Sequence, residues 1–215
     1  KSTTVKMITA LLEPTRGQIL LDGVSIRSDL VAYKRRLGYV PEEPNLYPHL
    51  TGLEYLDLIG CLRGLNTTAV ARKSEDLLSL FSLHPSRHSP IAAYSKGMRQ
   101  RLLISAALLH NPDIIVFDEP LSGLDVTTAL VFRKLVAALS RDGKIILYSS
   151  HVLEVVEKVC THVLVLHKGN VVGHGSIADI QKLASRPSLE QVFAELTQQT
   201  DTEQTALGII DVIKT

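Results

Sequence analysis

No apolar stretch in this 215-residue sequence approaches the ~18 residues that a membrane-spanning helix requires. Any association with a membrane is therefore expected to run through a partner. An excess of one charge is also missing. The 23 Lys and Arg against 22 Asp and Glu leave a formal net charge of +1. That balance leaves no strong footprint for nucleic acid or an anionic lipid surface, and no nucleic-acid partner is expected. Cysteine is scarce: Cys61 and Cys160 stand far apart, outside any metal-type spacing. They read as reduced, buried or half-buried thiols of a cytosolic protein. Apart from His151, the eight histidines are taken as surface or packing residues rather than metal ligands. Neither a start methionine nor a signal peptide opens the chain. Lys1 already belongs to a motif, so a fragment is expected. What is present is ordinary for a soluble globular protein: 45% hydrophobic and 21% charged residues. The length suits one large α/β domain or two small ones.

The most informative stretch is Ile114–Asp125, IIVFDEPLSGLD. Four uninterrupted apolar residues, Ile114 to Phe117, fit a strand buried on both faces. Asp118 and Glu119 then fall at the carboxyl edge of a parallel sheet, where ligands of open α/β sheets bind. One acid can hold a metal while its neighbour handles a water proton, which suits metal-assisted hydrolysis of a phosphate ester. A single DE pair is often no more than a solvated strand end. Its company distinguishes this one: Lys1-Ser2-Thr3 before it and Ser149-Ser150-His151 after a further apolar run.

The other segments arrange themselves around that edge. Lys1-Ser2-Thr3-Thr4 opens a helical pattern through Val5, Ile8, Leu11 and Leu12, closed by Pro14. A KST at a helix start is the tail of the phosphate loop G-x-x-x-x-G-K-[ST]: the lysine reaches phosphates, the serine binds Mg²⁺, and the helix end adds amides and dipole. Gly17–Ile26 predicts two strands around an Asp22-Gly23 turn. Tyr33–Arg36 is polar and basic, and Leu37 to Val40 is a short strand stopped by Pro41. A proline-rich loop follows. From 52 to 83 the apolar spacing turns helical, interrupted at Gly64-Leu65-Asn66, and predicts an inserted helical subdomain. Ser95 is placed as the N-cap of the next helix, an anion site in principle or an ordinary cap. Val131–Leu139 predicts a crossover helix with Val131, Leu135 and Val136 on one face. Ile145–Tyr148 and Val163–Leu166 predict two more buried strands around a helix over 152–160, hence a parallel wound sheet. Lys168-Gly169-Asn170 reads as a hairpin turn, and the pattern from Ser176 onward is helical.

This constellation resembles the nucleotide-binding subunit of an ATP-binding cassette (ABC) transporter, from Lys1 to about Thr197. Lys1-Ser2-Thr3 resembles the end of Walker A, and Tyr94–Arg101 (YSKGMRQR) the signature loop. Asp118-Glu119 resembles Walker B with its catalytic glutamate, Ser122–Asp125 the D-loop, and His151 the switch histidine. The resemblance implies an α/β P-loop NTPase fold, a RecA-like parallel sheet core carrying an α-helical signature subdomain. The implied division is a partial ATPase core over 1–51, the signature subdomain over 52–110, further core over 111–184 and a helical tail over 185–215. It also implies ATP and Mg²⁺, bound between two subunits facing head to tail as a homodimer or a paired ATPase subunit. Lys1, Ser2, Thr3 and Thr4 would hold the phosphates of one ATP, and Ser95, Gly97 and Asp125 would complete a site. Ser2, Asp118 and Glu42 would face the metal; Glu119 would polarise the attacking water and His151 would contact the γ-phosphate.

Three features depart from the family pattern. The loop glycines do not precede Lys1, Glu42 stands at the glutamine of the Q-loop, and Lys96, Met98 and Arg99 replace the commonest signature residues. The wording resembles the bacterial branch that partners separate export permeases. Location at the cytoplasmic face of the inner or plasma membrane would follow, through the permease. The loop from Pro44 to Pro48 is the expected permease contact. Its Leu46 and Tyr47 either meet a partner helix or pin the loop to the insert. A soluble relative of the same ATPase fold, acting in DNA repair or on the ribosome, is the alternative. Against it, the insert is compact where repair members carry long coiled coils, and the chain holds one cassette rather than two. An inactive, non-catalytic chain is the third reading.

Overall fold

The apolar run Ile114 to Phe117 sets the architecture. In the computed structural model, which describes residues 1–183 and 188–197, it forms strand β4 (Ile114–Asp118), buried at all five positions. Such a strand needs partners on both edges and cover on both faces. β3 (Leu37–Val40) and β5 (Ile145–Ser149) supply the edges, both parallel, in the order β3-β4-β5. One face of β4 is covered where Ile114 and Val116 join Val5, Ile26, Tyr33 and Leu37 in an apolar cluster. On the other, Phe117 meets Phe132 edge-on, with ring centroids 4.9 Å apart. Burying each such side chain contributes about 1.5–3 kcal/mol. Gly38 lets β3 pass close to the helix behind it: a Cβ there would stand 2.5 Å from the Ala107 carbonyl oxygen.

Several local expectations are overturned. The first helix, α1 (Ser2–Ile8), ends before Leu11 and Leu12, because Ala10 turns into the left-handed region (φ 55°) and the Leu11 amide closes back on Lys6. Leu11 is 62% exposed rather than on a buried face. The Asp22-Gly23 turn does join two antiparallel strands, β1 (Leu20–Leu21) and β2 (Val24–Ser25), with both turn residues at positive φ. Residues 33–36, read as merely polar and basic, belong to α2 (Leu30–Arg36). Asp29 caps it, and the buried Tyr33 donates its hydroxyl to the Ile8 carbonyl at 2.7 Å.

The insert is helical, as its periodicity implies. α3 (Gly52–Leu62) starts on a reciprocal Thr51–Glu54 capping box and α4 (Thr67–Leu80) on Asn66. These helices pack around Tyr55, Leu56, Val70, Leu78, Leu83 and Ile91. α5 (Lys96–Leu108) adds Leu102 and Ala106 to the same cluster. α6 (Val126–Arg141) begins five residues earlier than expected. Its buried side is Phe132 and Val136, with Val131 exposed.

β5 is not fully buried: Ile145 is 50% exposed, because β5 is the edge of the three-stranded sheet among the described residues. Cys61, expected buried or half-buried, is exposed, and Cys160 is half-buried.

Residues 1–151 and the described residues from 152 onward form two units, each compact by itself. In the second, α7 (Leu153–Val159) precedes β6 (His162–His167) and β7 (Asn170–Ser176). β6 was expected to extend the parallel sheet as a buried strand. It pairs antiparallel with β7 instead, across a Lys168-Gly169 turn, and its Leu164 is exposed. α8 (Ile177–Leu183) and α9 (Leu189–Thr197) follow. Glu157 accepts from the Gln181 amide at 3.1 Å and from the Leu189 backbone N–H. The pattern read at 200–215 lies outside the described residues.

His110, between α5 and β4, is the half-buried titratable group with the clearest consequence. Its Nε2 donates to the Leu37 carbonyl at 3.0 Å, and its Nδ1 is buried without a partner. Burial, then the Arg63 and Lys73 charges, outweigh the Leu37 bond and push its pKa down to about 4 from 6.5. The unfolded chain takes up this proton near pH 6.5 and the folded chain only near 4, so stability falls as pH drops through that window. The loss is expected to be about 1–2 kcal/mol, reduced by the ring's partial contact with water. Chemical denaturation at pH 7 and pH 4.5 checks it: His110→Gln is expected to flatten the difference.

Candidate active site

The carboxyl edge of the sheet brings together residues that lie far apart in the chain. In the β4–β5 ladder the last pair is Asp118 against Ser149, and the Glu119 amide then donates to the Ser149 carbonyl at 3.0 Å. There the chain leaves the sheet, with Glu119 at φ 48°, a conformation non-glycine residues adopt only when their surroundings impose it. This aims the Glu119 carboxylate at the segment after β5. Its Oε1 lies 2.9 Å from His151 Nδ1, and its Oε2 accepts from the Ser150 hydroxyl at 3.1 Å. Glu119 is largely buried and His151 mostly exposed, so the pair runs from the protein interior to the surface. Lys1 reaches the same place, its Nζ donating to the Ser150 carbonyl at 3.0 Å.

Asp118, only 5% exposed, sits beside this group at the end of β4. Glu42 follows β3 by two residues, and Val40 of β3 pairs with Phe117. Burial raises the Tyr39 phenol above its ordinary range, and the charges of Asp118 and Glu42 add to the effect, so both acids lie near that ring. Ser2, Thr3 and Thr4 form the first turn of α1, and no side chain caps that turn. Its leading amides therefore lack a side-chain acceptor, which leaves them suited to an anion.

Three expected site residues are tied elsewhere. Ser95 is the N-cap of α5 and accepts from the Met98 amide at 3.2 Å. Gly97 lies against the loop after Glu119: a Cβ there would stand 2.8 Å from the Gly123 carbonyl oxygen. Asp125 caps α6, accepting from the Thr128 hydroxyl at 2.6 Å and the Thr128 amide at 2.9 Å. Those two bonds hold its carboxyl below the ordinary range. Sequence reasoning missed Gln100, buried, whose amide donates to the Pro120 carbonyl at 3.2 Å, and the role of Ser150 beside Glu119. No sequence signal marked the first, because the burial of Gln100 is set by tertiary packing.

His84 and His88 stand four residues apart, a spacing that suits a metal on a helix. His84 is instead engaged by Glu75 at 3.3 Å. Among the described residues no three His, Cys, Asp or Glu gather as a metal cage. No described helix is long and apolar enough to cross a membrane. In the 44–48 loop the two apolar residues part company: Leu46 packs against the insert's core, while Tyr47 is 61% exposed, its ring 6.4 Å from that of Tyr55.

A parallel sheet bearing an acid pair, a lysine-serine helix start and a histidine at one edge is the layout of a P-loop ATPase. A model of the ABC transporter family matches residues 1–122, and the chain belongs to that family, among its ATP-binding subunits. It is 37% identical over 194 residues to the ABC transporter ATP-binding protein NatA of Bacillus subtilis, covering 90% of this chain and 79% of NatA. It is 33% identical to the bacitracin transport ATP-binding protein BcrA of Enterococcus faecalis, covering 85% of this chain and 58% of BcrA. Among solved structures, an ATP-binding subunit of an ABC transporter superposes with a TM-score of 0.85 at 36% identity, covering 92% of this chain and 83% of that one. A dimeric, post-hydrolysis ATP-binding cassette, MJ0796 with ADP and Pi, superposes with a TM-score of 0.74 at 25% identity, covering 82% and 80%.

The split between Leu46 and Tyr47 is directly testable. Leu46→Ala removes packing from the insert and is expected to cost about 1–3 kcal/mol, lowering the melting temperature by several degrees. Tyr47→Ala is expected to leave it within about one degree. Differential scanning calorimetry of the two variants decides the point.

Proposed function

We propose that this chain binds and hydrolyses ATP at the Lys1–Asp118–Glu119–His151 edge, at a head-to-tail interface with a second cassette, and so drives export through a separate membrane permease. The observation that carries the reading is the convergence on one sheet edge of Lys1, Ser150, Glu119 and His151, through contacts of 2.9 to 3.1 Å. Phosphate oxygens would lie on Lys1 Nζ and the uncapped amides of Ser2, Thr3 and Thr4. Ser95 and Gly97 of one subunit would meet the phosphates bound by the other, with Asp125 near that interface.

The donors fit a magnesium ion. The Ser2 hydroxyl and the Asp118 and Glu42 carboxylates are hard oxygen ligands, few enough that phosphates and water fill the remaining positions. Bound there, Mg²⁺ would neutralise charge building on the β- and γ-phosphate oxygens. Glu119 supplies the base. Its carboxylate, oriented by Ser150 and His151, accepts a proton from water attacking the γ-phosphorus. His151 gives its Nδ1–H to Glu119, so Nε2 can donate to a phosphate only in the doubly protonated ring. The 44–48 loop, with Tyr47 presented outward, fits a permease contact, and the likeness to NatA and BcrA, both named as transport ATP-binding proteins, supports that reading.

The test is Glu119→Gln in the full-length protein, followed by ATP binding, phosphate release and sedimentation. ATP affinity is expected to persist, turnover to fall by ~10²-fold or more, and ATP to hold two subunits together. An unchanged rate would move the base to His151.

A further inference from the structure

The first turn of α5 grips the loop that leaves Glu119, and the grip has one charged side chain at its centre. Lys96 Nζ donates to the Ser122 hydroxyl at 2.8 Å. The Ser122 amide in turn donates to the Glu119 carbonyl at 3.1 Å, closing the turn that follows the acid. The stem of Lys96 lies on Gly123: a Cβ added there would stand 2.8 Å from Lys96 Cγ. Two further contacts of the same helix start hold neighbouring positions, Gly97 against the Gly123 carbonyl and Gln100 on the Pro120 carbonyl. At its other side Glu119 is held by its own amide on Ser149. Its left-handed backbone is thus clamped between β5 and the loop that Lys96 fastens.

We infer that Lys96 is a positioning residue: through Ser122 it fixes the Glu119 turn and so the direction of the Glu119 carboxylate. Long reach and a donor head are both required. A small residue at 96 cannot span to Ser122, and an apolar one of equal length covers Gly123 without fastening the loop. The clamp also joins the helical insert to the acidic edge, since α5 buries Leu102 and Ala106 in the insert's core. The inference rests on the proposal that Glu119 orients the attacking water, and the test separates the two.

In the full-length protein, kcat and KM for ATP are measured for Lys96→Met, Ser122→Ala, the double variant and Lys96→Arg, with Glu119→Gln alongside. Amide hydrogen exchange over 119–124 is followed in each. Lys96→Met and Ser122→Ala are each expected to lower kcat by ~5–10-fold with KM unchanged, since small misplacement of a catalytic group is costly. The double variant is expected to be no worse than either alone, because both cut one link. Lys96→Arg keeps a donor and is expected to restore most of the rate. Exchange at the Ser122 amide is expected to quicken by ~10-fold in Lys96→Met. Additive losses, unchanged exchange, or faster exchange with unchanged kcat would overturn the inference. So would a Lys96→Met variant with raised KM beside a silent Ser122→Ala, which assigns Lys96 to the partner's phosphate. Wild-type turnover in Glu119→Gln would instead overturn the role given to Glu119, with the exchange result still reporting on the clamp.

Discussion

The register of β4 against β5 is the constraint on which the acidic edge depends. Side chains alternate along a strand, so a slip of one residue sends each to the opposite face. With Asp118 opposite Ser149 and the Glu119 amide on the Ser149 carbonyl, the ladder ends one residue beyond the last pair. Ser150 and His151 then continue past β5 at the level where Glu119 leaves β4. The contacts of Glu119 with both, and of Lys1 with the Ser150 carbonyl, follow from that single alignment.

The register is in turn secured by burial. β4 has apolar neighbours on both faces, the Val5–Tyr33 cluster on one and Phe132 on the other. Moving it along β5 would drag Phe117 and Val116 out of those clusters, a loss of several kcal/mol by transfer alone. The backbone strain at Glu119 is tolerable because the sheet beneath it is rigid. The bond between chemistry and core is thus direct: the same strand that fills the interior delivers the acids to its end.

The helical insert is a second core, built on Leu56, Leu78, Leu83 and Ile91. It is not isolated from the edge. α5 contributes to that core through Leu102 and Ala106, while its first two turns meet the loop after Glu119 through Lys96, Gly97 and Gln100. Leu46 ties the loop after Glu42 to the same core, leaving Tyr47 outward. Two loops bordering the acidic edge are therefore fastened to one helical body.

The family was legible in the sequence because its motifs are local: Lys1-Ser2-Thr3, the Asp118-Glu119 strand end, and His151 after a further apolar run. So were β4, the Asp22-Gly23 turn, the insert and the Ser95 cap, each fixed by short-range pattern or side-chain chemistry. Burial of individual strands was not. Ile145 and Leu164 look like β4 in composition, yet their exposure depends on which strands and helices lie beside them. Neither was the end of α1, where the Ala10 turn outweighed apolar spacing, nor the buried side of α6, a matter of rotation about the helix axis. The sequence by itself determined which chemistry the chain carries and the order of its parts. Only the tertiary structure decided that Ser150 orients Glu119 and that Lys96 reaches Ser122, because these pairs stand 31 and 26 residues apart and meet only once the sheet register and the packing of α5 are set.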